Sequence, residues 1–167
     1  MVIENTRVMK ILMDGGSDIN ILYKDAFDKL NADIRKLHAS QSPFHGIIPG
    51  WRVMPLGIID LSMTFGDAVH YQKETLSFEV VNFQGPYSAI FGRSCYTKFI
   101  TVPNYAYLKL KMPGPCGIIT VSGNFQSIYQ CERDAVEYTE AKNLDSMASS
   151  LPCSRLGKKL LSTTLGQ

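Results

Sequence analysis

The sequence has little net charge. Its 17 basic and 15 acidic side chains leave +2 at neutral pH, and there is no long block of one sign. Such a chain neutralises few phosphates, so direct nucleic-acid binding is not expected. Long apolar runs are also missing. Ile47-Ile48 and Leu56-Gly57-Ile58-Ile59 are interrupted by Pro, Gly or Asp, well short of the roughly 18 residues a membrane span requires. No membrane segment is therefore expected. Met1 to Arg7 holds Glu4, Asn5 and Arg7 in place of an apolar signal core, so secretion is not indicated and a cytoplasmic location is expected. The four cysteines, Cys95, Cys116, Cys131 and Cys153, form no Cys-x-x-Cys pair and lie far in sequence from His38, His45 and His70. That spacing speaks against a zinc ribbon or a disulfide scaffold; free thiols, no metal and no cofactor are expected. A Cys nucleophile with a distant His is compatible with any spacing, because such partners need only meet in space, but nothing local points to one.

What remains is 167 residues, 45% hydrophobic and 19% charged, the size and balance of one globular domain with a tail. Turn residues recur at short intervals: Gly15-Gly16, Pro43, Gly46, Pro49-Gly50, Pro55, Gly66-Asp67, Gly85-Pro86, Gly92, Pro103-Asn104 and Pro113-Gly114-Pro115. This density predicts a mainly β domain. Val8 to Met13 reads as a buried strand running into Asp14-Gly15-Gly16. Leu56 to Phe65 places Ile59, Leu61, Met63 and Phe65 on one face, and Glu74 to Phe83 returns with Leu76, Phe78 and Val80 alternating, which predicts a hairpin. Tyr105 to Lys111 also alternates, with Ala106, Leu108 and Leu110 inward, and predicts a half-exposed strand. Short helices are expected over Lys24 to Leu30 and Ser94 to Phe99. From Glu132 to Asp145 five acidic and two basic residues accompany a sparse apolar set. Residues 131–167 are therefore expected to be a linker or tail, with a marginal helix and then disorder.

The informative point is Ile11-Leu12-Met13-Asp14-Gly15-Gly16-Ser17, where three apolar residues deliver a carboxylate to a turn of two glycines. As a bare pattern an Asp before Gly is more often a turn cap than a working carboxylate. A second apolar strand, Ser88-Ala89-Ile90-Phe91, runs likewise into Gly92-Arg93. Together with Ile19-Asn20-Ile21-Leu22-Tyr23, Pro43-Phe44-His45-Gly46-Ile47-Ile48-Pro49-Gly50 and Val53 to Leu61, these segments resemble retropepsin-like aspartic proteases of plant gypsy-class retrotransposon polyproteins. Tyr107 to Pro113 and Tyr129 to Glu132 resemble the stretch that leads from protease toward reverse transcriptase. The resemblance covers about residues 5 to 140.

The resemblance implies a closed retropepsin-like β-barrel over residues 5–130, with one or two short helices. It implies an aspartic endopeptidase that cleaves a retroelement polyprotein, with Asp14 catalytic and Gly15, Gly16, Ser17 and Asp18 forming the active-site loop. Phe44, His45, Gly46, Ile47 and Ile48 would form a flap over an extended peptide, His45 as a flap-tip residue and not a base. Ile90, Gly92 and Arg93 would support the loop, and Asp18 is expected to pair with Arg93 through the planar guanidinium fork. Each chain carries one such Asp, so the site would require a homodimer. Two carboxylates about 3 Å apart share one proton: one activates water while the other protonates the substrate carbonyl, favouring mildly acidic pH. Gly15 departs from the family pattern, where Ser or Thr contributes a hydroxyl lattice across the dimer, each bond worth about 0.5–1.5 kcal/mol. That departure motivates the alternative of a catalytically inactive dimerisation or peptide-binding module. A start about thirteen residues before Asp14 and the lack of a reverse transcriptase are what a fragment of a polyprotein would show.

Overall fold

One long antiparallel hairpin dominates the architecture. A computed structural model describes residues 1–40, 44–45, 52–82 and 85–150. Its first part is built from strands β1 (Val2–Ile3), β2 (Thr6–Arg7), β3 (Ile11–Met13) and β4 (Asn20–Tyr23), helix α1 (Lys24–Lys29) and a 3-10 turn at Ile34–Lys36. A short ladder of β5 (Phe44–His45) and β6 (Arg52–Val53) precedes the hairpin of β7 (Gly57–Gly66) and β8 (Tyr71–Val81). Strand β9 (Ala89–Phe91), helix α2 (Arg93–Phe99), strands β10 (Val102–Asn104), β11 (Lys109–Gly114) and β12 (Gly117–Ser122), and helix α3 (Phe125–Ser150) complete it. The expected mainly β class is what forms. Seven strands make one sheet in the order β2-β1-β7-β8-β4-β9-β3, curled as a half-barrel, and β10-β11-β12 make a second sheet.

Period-two alternation explains the hairpin. Ile59, Leu61, Met63 and Phe65 on β7 and Leu76, Phe78 and Val80 on β8 are all buried, with Ile59 opposite Phe78 and Leu61 opposite Leu76. Each such side chain contributes about 1.5–3 kcal/mol when fully buried. Phe65 meets Phe99 of α2 edge-on at a ring-centroid distance of 4.9 Å, and Phe78 lies 5.9 Å from Phe91 of β9, so the hairpin carries both later elements. On the opposite face Ile21, Tyr23, Val81 and Ile90 form a second, smaller apolar cluster.

Several expectations need correction. The strand expected from Val8 begins only at Ile11, because Lys10 takes a left-handed backbone (φ 58°) that breaks the extended run. The strand expected over Tyr105 to Lys111 is a turn at 105–108 followed by β11. The Asn104 side chain accepts a hydrogen bond from Tyr107 N at 2.9 Å, Leu108 is left-handed (φ 50°), and Ala106 is exposed. Helix α3 starts at Phe125, before the expected Glu132, because Asn124 caps it by accepting from Ser127 N at 3.0 Å. Cys131 is buried where α3 passes Pro86. Phe83 and residues 151–167 of the expected tail lie outside the described residues, and no helix among the described residues is long and apolar enough to cross a membrane.

Candidate active site

The loop carrying Asp14 hangs over the end of a strand that its own flanks enclose. β3 runs parallel to β9 (Leu12 opposite Ile90), while β4 runs antiparallel to β9 on its other side (Ile21 opposite Ile90). The chain therefore leaves the sheet at Met13, crosses the end of β9 and re-enters at Asn20. Alternation along β9 serves both faces: Ala89 and Phe91 enter the main core, and Ile90 joins the smaller cluster. Ile90 itself lies between Leu12 of β3 and Ile21 of β4, the strands that lead into and out of the loop.

Backbone hydrogen bonds fix the crossing. Asp14 N donates to Phe91 O at 2.8 Å, and Arg93 N donates to Ser17 O at 2.7 Å. Within the loop, Gly16 N donates to Asp14 Oδ1 at 2.9 Å, and the Ser17 hydroxyl both donates to Ile19 O and accepts from Ile19 N. Asp14 is half-buried, while Gly15 and Gly16 are exposed. The result is a carboxylate held at the rim of the sheet with its backbone tied down on both sides. Gly92 is a glycine for want of space: an added Cβ would lie 2.4 Å from Ile19 O and 2.6 Å from Ser17 O.

Asp18 and Arg93 meet as expected. Arg93 Nε donates to Asp18 Oδ1 at 2.7 Å and Arg93 Nη2 donates to the same oxygen, so the fork closes on a single oxygen and is not spread over both. Both side chains are more than half exposed, at 77% and 55%, so water screens the pair. Replacing Arg93 with Ala is expected to change stability by less than about 1 kcal/mol in a denaturant titration, because the loop is held by the Arg93 backbone amide and not by its side chain.

Asn20 is the residue that sequence reasoning missed. It is 3% exposed, its Nδ2 donates to Ser77 O at 3.0 Å and its Oδ1 accepts from Gly92 N at 3.1 Å. One side chain thus ties the loop's exit to both β8 and the Gly92 turn. The available signal was a lone amide inside the apolar run Ile19 to Tyr23, since a buried polar side chain is retained where it is fully hydrogen-bonded.

Glu79 was also not singled out. It stands on β8 between Ile58 of β7 and Ile21 of β4, and its Oε2 is buried with no hydrogen-bond partner among the described residues. Burial raises its carboxyl above the ordinary value of 4.5, with a hydrogen bond from Ser40 working in the opposite direction. A carboxyl raised in the folded state adds stability below its unfolded value and loses that contribution as pH climbs through the folded one. Glu79→Gln is therefore expected to raise Tm at pH 7 and to leave it nearly unchanged at pH 4, as read by thermal melts at both pH values.

Of the expected flap, Phe44 and His45 pair with Val53 and Arg52; Gly46, Ile47 and Ile48 lie outside the described residues. Cys95 is fully buried on α2 and its thiol is pushed up to about 12 by that burial, which leaves it inert at neutral pH. Among the described residues no three His, Cys, Asp or Glu side chains are grouped as metal ligands.

No family model matches the sequence, and no curated protein matches it. Among solved structures the chain is similar to the retroviral protease-like domain of Ddi1 from Leishmania major, with 15% identity over 74% of this chain and 92% of that one and a TM-score of 0.47.

Proposed function

We propose that the protein is an aspartic endopeptidase that works as a homodimer and cleaves an extended polypeptide, such as a retroelement polyprotein. The observation that carries this reading is the Asp14 carboxylate, presented half-buried at the rim of the sheet by a loop pinned to Phe91, Gly92 and Arg93. Its placement favours a partner. β3, which ends at Met13 just before Asp14, is an edge strand of the sheet, and the neighbouring Met9 and Leu12 are exposed, so a second copy can bring its own Asp14 alongside.

Two such carboxylates sharing one proton supply both halves of peptide hydrolysis. The ionised Asp14 takes a proton from water as the oxygen attacks the peptide carbonyl, and the protonated Asp14 gives its proton to the carbonyl oxygen. Collapse of the tetrahedral species breaks the C–N bond as a proton passes to the leaving amine, and no cofactor is required. The β5–β6 ladder next to Gly46 supports a flap over the substrate, with main-chain hydrogen bonds holding an extended strand.

The test is cleavage of a peptide library by the purified protein across pH 3 to 7. Turnover that peaks at mildly acidic pH and stops with a pepstatin-type inhibitor is expected. Gly15 favours a second reading, a dimerising or peptide-binding module without turnover. That reading predicts peptide binding with no cleavage at any pH.

A further inference from the structure

Gly15 directly follows the candidate catalytic carboxylate, and the space its missing side chain leaves is already taken. An added Cβ would lie 2.7 Å from the Tyr105 hydroxyl oxygen, 3.8 Å from Tyr105 Cζ and 3.8 Å from Tyr96 Cε2. Two tyrosines from elements far along the chain thus converge on the residue beside Asp14. Tyr105 comes from the turn after β10, a turn whose geometry Asn104 fixes by capping Tyr107 N. Tyr96 comes from α2, which begins at Arg93 next to the loop.

Tyr105 is 56% exposed as a whole, yet its hydroxyl tip reaches the loop. The Tyr96 hydroxyl is buried and lies against that of Tyr105. Burial pushes its proton affinity well above the ordinary tyrosine range; a hydrogen bond with Tyr105 adds to the effect, followed by Cys95 and last by the Asp14 carboxylate. A buried hydroxyl that leans on Tyr105 and lies within electrostatic reach of a carboxylate links both tyrosines to the loop.

We propose that the Tyr105 hydroxyl, backed by Tyr96, stands in for the side chain that residue 15 lacks and is the positioning group for Asp14. Gly15 and Tyr105 are then one device, since any larger residue at 15 and the tyrosine hydroxyl compete for the same volume. A tyrosine suits this task because its ring has few rotamers and its hydroxyl both donates and accepts. The catalytic consequence rests on the peptidase reading above; the steric coupling between positions 15 and 105 does not.

Four proteins test this: wild type, Tyr105→Phe, Gly15→Ser and the double variant. Each single change is expected to lower kcat/KM for peptide cleavage about tenfold, mainly through kcat, because each removes or displaces the hydroxyl that fills the space beside Asp14. The double variant is expected to recover most of the activity, because the serine hydroxyl enters the space the tyrosine hydroxyl has vacated. Losses that multiply in the double variant, or a Tyr105→Phe protein with wild-type kcat, overturn the proposal. The steric half is read without turnover, from thermal melts of Gly15→Ala. That change is expected to be less favourable to Tm in the wild-type background, where the Tyr105 hydroxyl must move aside, than alongside Tyr105→Phe. Equal shifts in the two backgrounds overturn the coupling even if the protein proves to cleave nothing, whereas unequal shifts with no cleavage uphold the geometry and count against the peptidase reading alone.

Discussion

Gly92→Ala is expected to destabilise the domain by at least about 3 kcal/mol, because the methyl group meets only backbone. Its nearest neighbours would be Ile19 O at 2.4 Å, Ser17 O at 2.6 Å and Ile19 N at 3.0 Å, none of which can rotate away as a side chain does. The backbone conformation itself is ordinary, at φ −92°, so the penalty is one of space and not of dihedral strain. Relief requires lifting the loop, and that breaks the bonds from Arg93 N to Ser17 O and from Gly92 N to Asn20 Oδ1. Asn20 would then be left buried with half of its amide unsatisfied, adding about 1–3 kcal/mol. Against a total stability of about 5–15 kcal/mol this is a large fraction. Tm should fall by about 8 °C or more in a thermal scan, and an unchanged Tm would show that the loop does not sit on Gly92 as described.

Asp14→Asn carries the second large effect, on chemistry and not on folding. The amide keeps the shape of the carboxylate, and its Oδ1 can still accept from Gly16 N, the bond that measures 2.9 Å with the acid. What it loses is the capacity to take a proton from water or to hold the one shared with a partner carboxylate. Cleavage is expected to fall by about a thousandfold or more in kcat/KM, the scale on which removal of a central catalytic group acts. Tm should stay within about 2 °C of wild type, since no hydrogen bond of the loop is lost. The contrast with Gly92→Ala separates the closing of the loop, which needs Gly92, from the chemistry proposed for Asp14.

Much of this arrangement was legible in the sequence where the signal is local. Alternation along Ile59 to Phe65 and Leu76 to Val80 gave the hairpin, and Phe27 with Leu30 marked the buried side of α1 and its end. The same alternation misled at Tyr105 to Leu108, because a period of two does not distinguish a strand from a turn when a side-chain cap and a left-handed residue intervene. Pro103 reads as a turn signal yet pairs with Leu110, which an edge strand such as β10 tolerates. The two-residue strands β1 and β2 were hidden among polar residues; Ile3 is nonetheless completely buried opposite Met63.

At the site, the motif Asp14-Gly15-Gly16 and the turn Gly92-Arg93 stood out separately, and their pairing through parallel β3 and β9 is a long-range fact that no local pattern encodes. The same holds for Asn20 joining Ser77 to Gly92, and for Tyr96 and Tyr105 meeting at Gly15. Each residue type is unremarkable in its own segment. Only the fold makes them neighbours.

The central claim is that one chain holds half of an active site, and mixing tests it most directly. Wild-type protein is combined with increasing Asp14→Asn protein at constant total concentration, allowed to exchange, and assayed for peptide cleavage. If each site needs an Asp14 from both copies, activity per wild-type chain falls in proportion to the wild-type fraction, to about half at equal mixing. Activity per wild-type chain that stays constant throughout the series would contradict the account, because a single Asp14 would then suffice.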